Sequence, residues 1–197
     1  MIKTYLFDLD DTLIDTKIYA HLYPIILAMI KEKKKLKGAQ LEAKAVSFGL
    51  KKNKSGRWDS ADLCKEFGLL EEYYAKLESL IEVKAVLYSQ VEQVFTKLKK
   101  NEVKIGVVSN SRSRTIQLYL LKYDLSKYVD FVFSSDAAGC RKDSVLYWKK
   151  LIEKQKLKPQ ECLMIGDDHL EDQKIPAKLG FKTFLINYPA DLQKIPL

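Results

Sequence analysis

Three carboxylates stand within four residues near the start of the chain. Asp8, Asp10 and Asp11 fall at the end of the run Ile2–Leu9, which is otherwise almost wholly apolar. Ionised carboxylates at the end of a buried strand need a partner, because each would cost several kcal/mol or more if left unpaired. Oxygen ligands of this kind suit Mg²⁺, so the stretch predicts a magnesium site. An acidic turn that ends a strand and begins a helix explains the same residues without a metal.

A second acidic group, formed by Asp167, Asp168 and Asp172, follows another apolar stretch, Cys162–Ile165. Ligands of open α/β sheets bind at the carboxyl ends of the strands, where both groups would lie. Two acidic strand ends in one sheet would repel each other if both were left uncompensated, so the same cation is expected to serve both. The amino terminus of a helix is the alternative partner for one or two of these carboxylates.

Polar side chains that could bind a phosphate lie between the two acidic groups. Ser109 and Asn110 directly follow the predicted strand Val103–Val108. Lys142 stands at the start of a predicted helix, where a cation is mildly unfavourable. Phosphoryl transfer to a carboxylate needs a nucleophile, an acid/base, cations and fixed hydrogen-bond donors. The chain offers a candidate for each. A Ser-Asn turn would explain Ser109 and Asn110 equally well when they are seen alone, and in a lysine-rich chain the placement of Lys142 only slightly favours a role.

The pattern of apolar residues predicts a parallel sheet that is interrupted after its first strand. From Ser89 onward strands and helices alternate, as in doubly wound α/β domains. We therefore expect a Rossmann-like core from residues 1–15 and 87–197, and an inserted four-helix cap domain at 16–86. The predicted helices include Leu41–Phe48, with Gly38 as a break before it, and a short helix around Ile175–Leu179. The predicted strands are Ile2–Leu9, Val103–Val108, Val129–Phe133, Cys162–Ile165 and Thr183–Ile186.

Composition bounds the class of protein. The chain has 197 residues, of which 47% are hydrophobic and 30% charged, enough for one good core. No apolar run reaches the length that a membrane span needs, and no signal peptide precedes Asp8. The three cysteines are far apart and form neither a disulfide framework nor a zinc pattern. A cytoplasmic protein is therefore expected. The net charge of +8 comes mostly from scattered lysines without a nucleic-acid-binding motif, which disfavours nucleic acid as a partner.

Four motifs, in order, resemble those of the haloacid dehalogenase superfamily, in its aspartate-dependent phosphatase branch: D-x-D-x-T at 8–12, S-N at 109–110, K at 142 and G-D-D-x-x-x-D at 166–172. The resemblance covers essentially the whole chain and implies a helical cap inserted after the first strand. It also implies that Asp8 is the nucleophile, which forms an aspartyl-phosphate, and that Asp10 protonates the leaving oxygen and then activates water. Family dehalogenases lack an Asp at the position of Asp10, so dehalogenation is disfavoured.

The resemblance further assigns the metal and phosphate ligands. Mg²⁺ would be held by Asp8, the backbone carbonyl of Asp10 and Asp167, with Asp168 or Asp172 in support. Ser109 and Lys142 would hold the phosphoryl oxygens, and candidates to contact the substrate are Thr12, Asn110 and Arg57, the last in a basic loop of the cap. Relatives commonly have Pro after the motif lysine, whereas this chain has Asp143, which is expected to cap the following helix.

These assignments together predict a magnesium-dependent phosphatase that acts on a small phosphorylated metabolite, with a cap that closes over the substrate as a lid. The alternatives are a pyrimidine 5′-nucleotidase-like enzyme, a phosphatase of nucleic-acid ends, and a non-catalytic phosphate-binding protein of the same fold. The full set of catalytic residues argues against the non-catalytic alternative, because a binding protein has no need of Asp10. The sequence predicts neither the substrate nor the oligomeric state.

Overall fold

The computed structural model describes residues 1–53 and 56–196 of the chain. Within these residues five parallel strands form one sheet, in the spatial order β3-β2-β1-β4-β5. The strands are β1 (Thr4–Phe7), β2 (Lys104–Ser109), β3 (Phe131–Ser134), β4 (Cys162–Gly166) and β5 (Lys182–Leu185). The predicted doubly wound α/β fold is confirmed, and each predicted strand is present with its ends displaced by at most two residues.

Strand β1 lies at the centre of the sheet, because β2 and β4 pair with its two edges. All four of its residues are buried, as expected for a strand that helices cover on both faces. At its carboxyl end Phe7 lies opposite Val107 of β2 and Ile165 of β4. The chain crosses from one side of β1 to the other between β3 and β4. The ends of β1 and β4 therefore flank the switch point at which open α/β sheets bind ligands.

The segment 16–86, which follows β1, is helical, as predicted. Its helices, among the residues described, are α1 (Lys17–Lys34), α2 (Gly38–Ser47), α3 (Ser60–Glu66) and α4 (Leu70–Val83). The prediction that Gly38 would break the helical run was wrong at that residue. The Gln40 side chain accepts the Lys37 amide hydrogen at 2.7 Å, so helix α2 already begins at Gly38 instead of Leu41.

Further helices follow residue 86. They are α5 (Val91–Lys100), α6 (Ser113–Lys122), α7 (Ser135–Ala138), α8 (Val145–Gln155) and α9 (Ile175–Lys178). The predicted helix near Ile175–Leu179 is preceded by a π-helical turn at His169–Lys174, which sequence periodicity did not reveal. This turn joins the end of β4 to α9 and carries Asp172.

The chain divides into two compact units, one formed by Met1–Thr16 and Val86–Leu197 and the other by Lys17–Ala85. The domain borders predicted from the sequence lie one residue from these. In the first unit, Tyr147 and Trp148 of α8 are fully buried in the apolar core, next to the sheet. Among the described residues, none of the helices combines the length and apolar character that a membrane crossing requires.

Candidate active site

A buried ammonium group lies between two carboxylates at the carboxyl end of the sheet. Lys142 Nζ is hydrogen-bonded to Asp8 Oδ1 and lies 2.6 Å from Asp172 Oδ1. The exposed fractions of the three side chains are 2% for Lys142, 7% for Asp8 and 1% for Asp172. Three predicted site residues that come from different loops thus form one ion-paired cluster. Removing the Lys142 charge would leave both carboxylates buried and uncompensated.

Burial and charge act on these groups in opposite directions. Burial raises the pKa of Asp8 well above its ordinary range, against the nearby Lys142 ammonium, which lowers it. Burial disfavours the charged form of Lys142, but the Asp8 and Asp172 carboxylates outweigh this effect and raise its pKa. Lys142 therefore stays an ammonium at neutral pH. A positive charge at this position can stabilise both the ionised form of Asp8 and the negative oxygens of a bound phosphoryl group.

The backbone of Lys142 is held from both sides. Its amide donates to Asn110 Oδ1 at 2.8 Å, and its carbonyl accepts from Trp148 Nε1 at 2.9 Å. The Asn110 amide nitrogen in turn donates to the carboxylate of Glu171. Both ends of the Asn110 side chain therefore contact the protein, which does not favour its predicted contact with a substrate.

The residue after Lys142 does not have the role expected of it. Helix α8 is capped by Ser144, whose hydroxyl accepts the Leu146 amide at 3.2 Å. Asp143 is exposed and does not cap the helix, so that prediction was wrong. The Asn110 and Trp148 contacts fix the Lys142 backbone, and Lys142 meets Asp8 although no proline follows it.

Three carboxylates at the site could share a cation. Oxygen atoms of Asp8, Asp167 and Asp172 all lie within 4.8 Å of one another. Burial, together with the charges of Asp172 and Asp11, raises the pKa of Asp167 to about 6. A set of hard, negatively charged oxygens that repel each other fits Mg²⁺. This clustering is consistent with the predicted metal ligands, whose role stays a prediction.

Asp168 and Asp172, which the sequence predicts as alternative supporting metal ligands, have different hydrogen-bond partners in the structure. Asp168 caps the π-helical turn, because its Oδ1 accepts the amides of Leu170 and Glu171 at 2.8 and 2.9 Å. Asp172 is turned inward, where its Oδ2 accepts the Asp168 amide at 3.1 Å. The geometry thus favours Asp172 over Asp168 as the supporting metal ligand.

The inward position of Asp172 depends on Gly166. A Cβ atom at residue 166 would lie 2.2 Å from Asp172 Oδ2, a distance that no side chain tolerates. Gly166→Ala should therefore displace Asp172 and lower the free energy of unfolding by about 1–3 kcal/mol. Denaturant unfolding at constant pH measures this loss.

Gly38→Ala is the matched control for that substitution, because nothing lies within 4 Å of the Cβ it would add. It begins α2, so alanine there should leave stability unchanged or raise it by up to about 1 kcal/mol. Equal denaturant midpoints for the unfolding of the Gly166→Ala and wild-type proteins would show that Asp172 does not need the space that glycine leaves.

The predicted acid/base lies in a tight turn after β1. The amides of Leu13 and Ile14 both donate to the carbonyl of Leu9, at 2.9 and 3.1 Å, and so fix the backbone around Asp10. Asp10 Oδ2 accepts the hydroxyl hydrogen of Ser111 at 2.8 Å. Sequence reasoning missed Ser111, because nothing in its neighbourhood distinguishes it from other serines of a turn.

Two other predicted residues are more buried than their roles suggest. Ser109 is fully buried at the end of β2, and its hydroxyl oxygen accepts the Ser111 amide at 2.9 Å. Thr12 is also fully buried, which does not favour its predicted direct contact with a substrate. Ser109 therefore shapes the turn that carries Ser111, and its contact with a phosphoryl group stays a prediction.

The last predicted contact residue, Arg57, belongs to the helical unit. Its amide donates to Asn53 Oδ1 at 3.1 Å, and its guanidinium lies 5.9 Å from the ring centroid of Tyr23. In the same loop Lys52 Nζ lies 4.5 Å from the ring centroid of Trp58, whereas Lys54 lies outside the described residues. Contact of Arg57 with a substrate stays a prediction.

Comparison with known proteins bears on the chemistry of this site. A family model described as haloacid dehalogenase-like hydrolase matches residues 2–172. The chain is similar to a protein named glyceraldehyde 3-phosphate phosphatase from Methanothermobacter thermautotrophicus. Their identity is 24% over 200 residues, which cover 95% of this chain and 86% of that protein. Other relatives match over as little as 35% of their own length.

Solved structures share the fold at low sequence identity. A haloacid dehalogenase (HAD) phosphatase from Thermococcus onnurineus superposes with a TM-score of 0.74 at 20% identity, over 98% of this chain and 97% of that one. The HAD-hydrolase YfnB from Bacillus subtilis, whose crystal structure contains magnesium, superposes with a TM-score of 0.62. Its identity is 21%, over 94% of this chain and 87% of that one.

Proposed function

The chain belongs to the haloacid dehalogenase-like hydrolase family, and on that premise we propose that it is a magnesium-dependent phosphatase of small phosphorylated metabolites. The observation that carries the proposal is the buried contact between Lys142 and Asp8. Asp10 follows Asp8 by two residues. A carboxylate beside a fixed cation is a suitable nucleophile, and a second carboxyl two residues on suits an acid/base. The phosphatase name of the relative from Methanothermobacter thermautotrophicus supports the same reaction class.

The proposed reaction has two steps. In the first, an oxygen of the Asp8 carboxylate forms a bond to phosphorus while the bond from phosphorus to the leaving oxygen breaks, and Asp10 gives that oxygen a proton. In the second, Asp10 takes a proton from water, which attacks the phosphorus of the aspartyl-phosphate and returns Asp8 to its carboxylate form. The Lys142 ammonium offsets negative charge on the phosphoryl oxygens in both steps.

Mg²⁺ fits the oxygen atoms of Asp8, Asp167 and Asp172, with the Asp10 carbonyl as the further predicted ligand. When bound, the ion supplies positive charge that neutralises phosphoryl oxygens. The substrate class, the lid role of the helical unit and cytoplasmic placement stay predictions.

The metal site predicts a change in stability. Mg²⁺ relieves the repulsion among the three carboxylates and binds only the folded chain, so millimolar Mg²⁺ should raise the melting temperature by several degrees, as mass action requires. Asp167→Asn, which removes the most exposed of the three charges, should abolish most of that rise. Thermal unfolding with Mg²⁺ and with EDTA measures both effects.

Asp168→Asn serves as the control, because an asparagine oxygen can still cap the π-helical turn. This variant should keep the Mg²⁺ response. An equal loss of the response in both variants would contradict the choice of Asp172 over Asp168 as the supporting ligand.

Hydrolysis of p-nitrophenyl phosphate by the purified protein, with Mg²⁺ and with EDTA, tests the proposed function. Metal-dependent release of p-nitrophenolate supports it and justifies a panel of triose phosphates, other sugar phosphates, phosphoglycolate and nucleotides. A phosphorylated oligonucleotide belongs in the panel too. Turnover of it that falls steeply with salt would favour a phosphatase of nucleic-acid ends. Absence of turnover on every ester by a folded, metal-loaded protein would favour the non-catalytic alternative.

A further inference from the structure

The turn after β2 brings a serine against the proposed acid/base. Ser111 Oγ donates to Asp10 Oδ2 at 2.8 Å, and the Ser111 amide donates to Ser109 Oγ at 2.9 Å. Ser109 is fully buried at the end of β2, so the turn that carries Ser111 is anchored in the sheet. We propose that Ser111 is a positioning residue, which holds the Asp10 carboxyl group in the orientation required for proton transfer.

Rotation about the side-chain bonds of Asp10 determines the direction in which its carboxyl group points. The backbone of Asp10 is fixed by the turn in which the amides of Leu13 and Ile14 donate to the Leu9 carbonyl, and by an isolated β-bridge between Asp10 and Ile14. A carboxyl group can still turn about its two side-chain bonds, and a misdirected proton donor loses much of its effect. The hydrogen bond from Ser111 Oγ to Asp10 Oδ2 restricts this rotation.

The inference rests on the proposed function and concerns its first step. As Asp8 bonds to phosphorus, the electron pair of the breaking bond passes to the leaving oxygen, which takes the proton of Asp10. Ser111 keeps its own hydroxyl hydrogen throughout and exchanges nothing with the substrate. Its contribution therefore scales with the need of the leaving group for a proton.

Leaving groups of different basicity make this dependence measurable. An alkyl phosphate leaves as a strongly basic alkoxide and needs the proton, whereas p-nitrophenolate is a stable anion and leaves without one. Ser111→Ala should lower kcat/KM for an alkyl phosphate such as glycerol phosphate by roughly tenfold or more. For p-nitrophenyl phosphate the loss in kcat/KM should be no more than about threefold, because this ratio reports the steps up to departure of the leaving group.

Three further variants separate positioning from structural effects. Ser111→Thr keeps the hydroxyl donor and should restore kcat/KM for the alkyl ester. Ser113→Ala removes a hydroxyl from the same segment that contacts Ser134 and Asp136 instead of Asp10, so it should show no selective loss on the alkyl ester. If Ser111→Ala unfolds, Ser111→Cys preserves the volume with a weaker donor and should show the same selectivity to a smaller extent.

The outcomes distinguish the positioning role of Ser111 from the proposed phosphatase function on which it rests. Wild-type turnover of both esters, with a loss in Ser111→Ala confined to the alkyl ester, supports both. Equal losses on the two esters, or no loss on either, would overturn the positioning role alone and leave the phosphatase proposal standing. A wild-type protein that turns over neither ester would overturn the proposed function and the positioning role with it.

Discussion

Asp8→Asn is expected to abolish turnover of phosphate esters, with a loss in kcat on the order of 10⁴-fold or more, because an amide cannot act as the nucleophile. The substitution is nearly isosteric, and Lys142 keeps its second partner, Asp172, at 2.6 Å. The fold should therefore persist, which circular dichroism and thermal unfolding can verify. Rates of p-nitrophenolate release by the variant and the wild-type protein, at equal Mg²⁺, measure the effect.

Asp143→Asn provides the matched control for this loss. It removes a charge one residue from Lys142, but the side chain is exposed and caps no helix. Its activity should stay within about threefold of wild type, as is usual for surface changes away from a site. Near-wild-type activity of Asp8→Asn would show that Asp8 is not the nucleophile, and an equal loss in both variants would point to general electrostatics instead.

Lys142→Met should have the largest effect on stability. It keeps most of the length of the side chain but leaves Asp8 and Asp172 buried without their cation, which should lower the free energy of unfolding by about 3–5 kcal/mol in EDTA. The loss should also depend on pH. Burial already raises the pKa of Asp8 against the effect of the ammonium, so without Lys142 the folded-state pKa of Asp8 should rise further above its unfolded value. Stability should then be highest at acid pH and fall as the pH rises through the folded-state pKa of Asp8. Denaturant unfolding across that range measures both effects.

A double variant tests the cause of that loss. Asp172→Asn placed in the Lys142→Met background removes one of the uncompensated charges, so it should restore part of the stability instead of lowering it further. Lys149→Met, on the exposed side of α8, is the control and should change stability by less than about 0.5 kcal/mol. Additive losses in the double variant would contradict a stabilising ion-paired cluster.

The parts of the site that follow from strand ends could be predicted from the sequence. Asp8 and Asp167 each come directly after a buried apolar strand, and carboxyl ends of parallel strands meet at one edge of a sheet. Membership in the haloacid dehalogenase family, which rested on four spaced motifs, is confirmed by the family model. Local spacing thus sufficed wherever a residue's position is set by the element that carries it.

The parts that depend on tertiary packing could not be predicted in the same way. Asp168 and Asp172 are equivalent in the sequence, and only the cap of the π-helical turn and the space beside Gly166 separate them. Asn110 contacts Lys142 and Glu171 across loops that lie far apart in the chain. Such contacts are set by how loops from different strands meet, and no periodicity of the sequence encodes this.

Trapping the covalent intermediate tests the central claim most directly. Asp10→Ala can still release p-nitrophenolate in the first step, since that leaving group needs no proton, but it lacks the base for the second. Mixed with p-nitrophenyl phosphate and Mg²⁺, this variant should release one p-nitrophenolate per molecule in a burst and then stall. Mass spectrometry of the intact and digested protein should then find one added phosphoryl group, on the peptide that contains Asp8. A phosphoryl group on another residue, or steady turnover without any covalent adduct, would contradict the account.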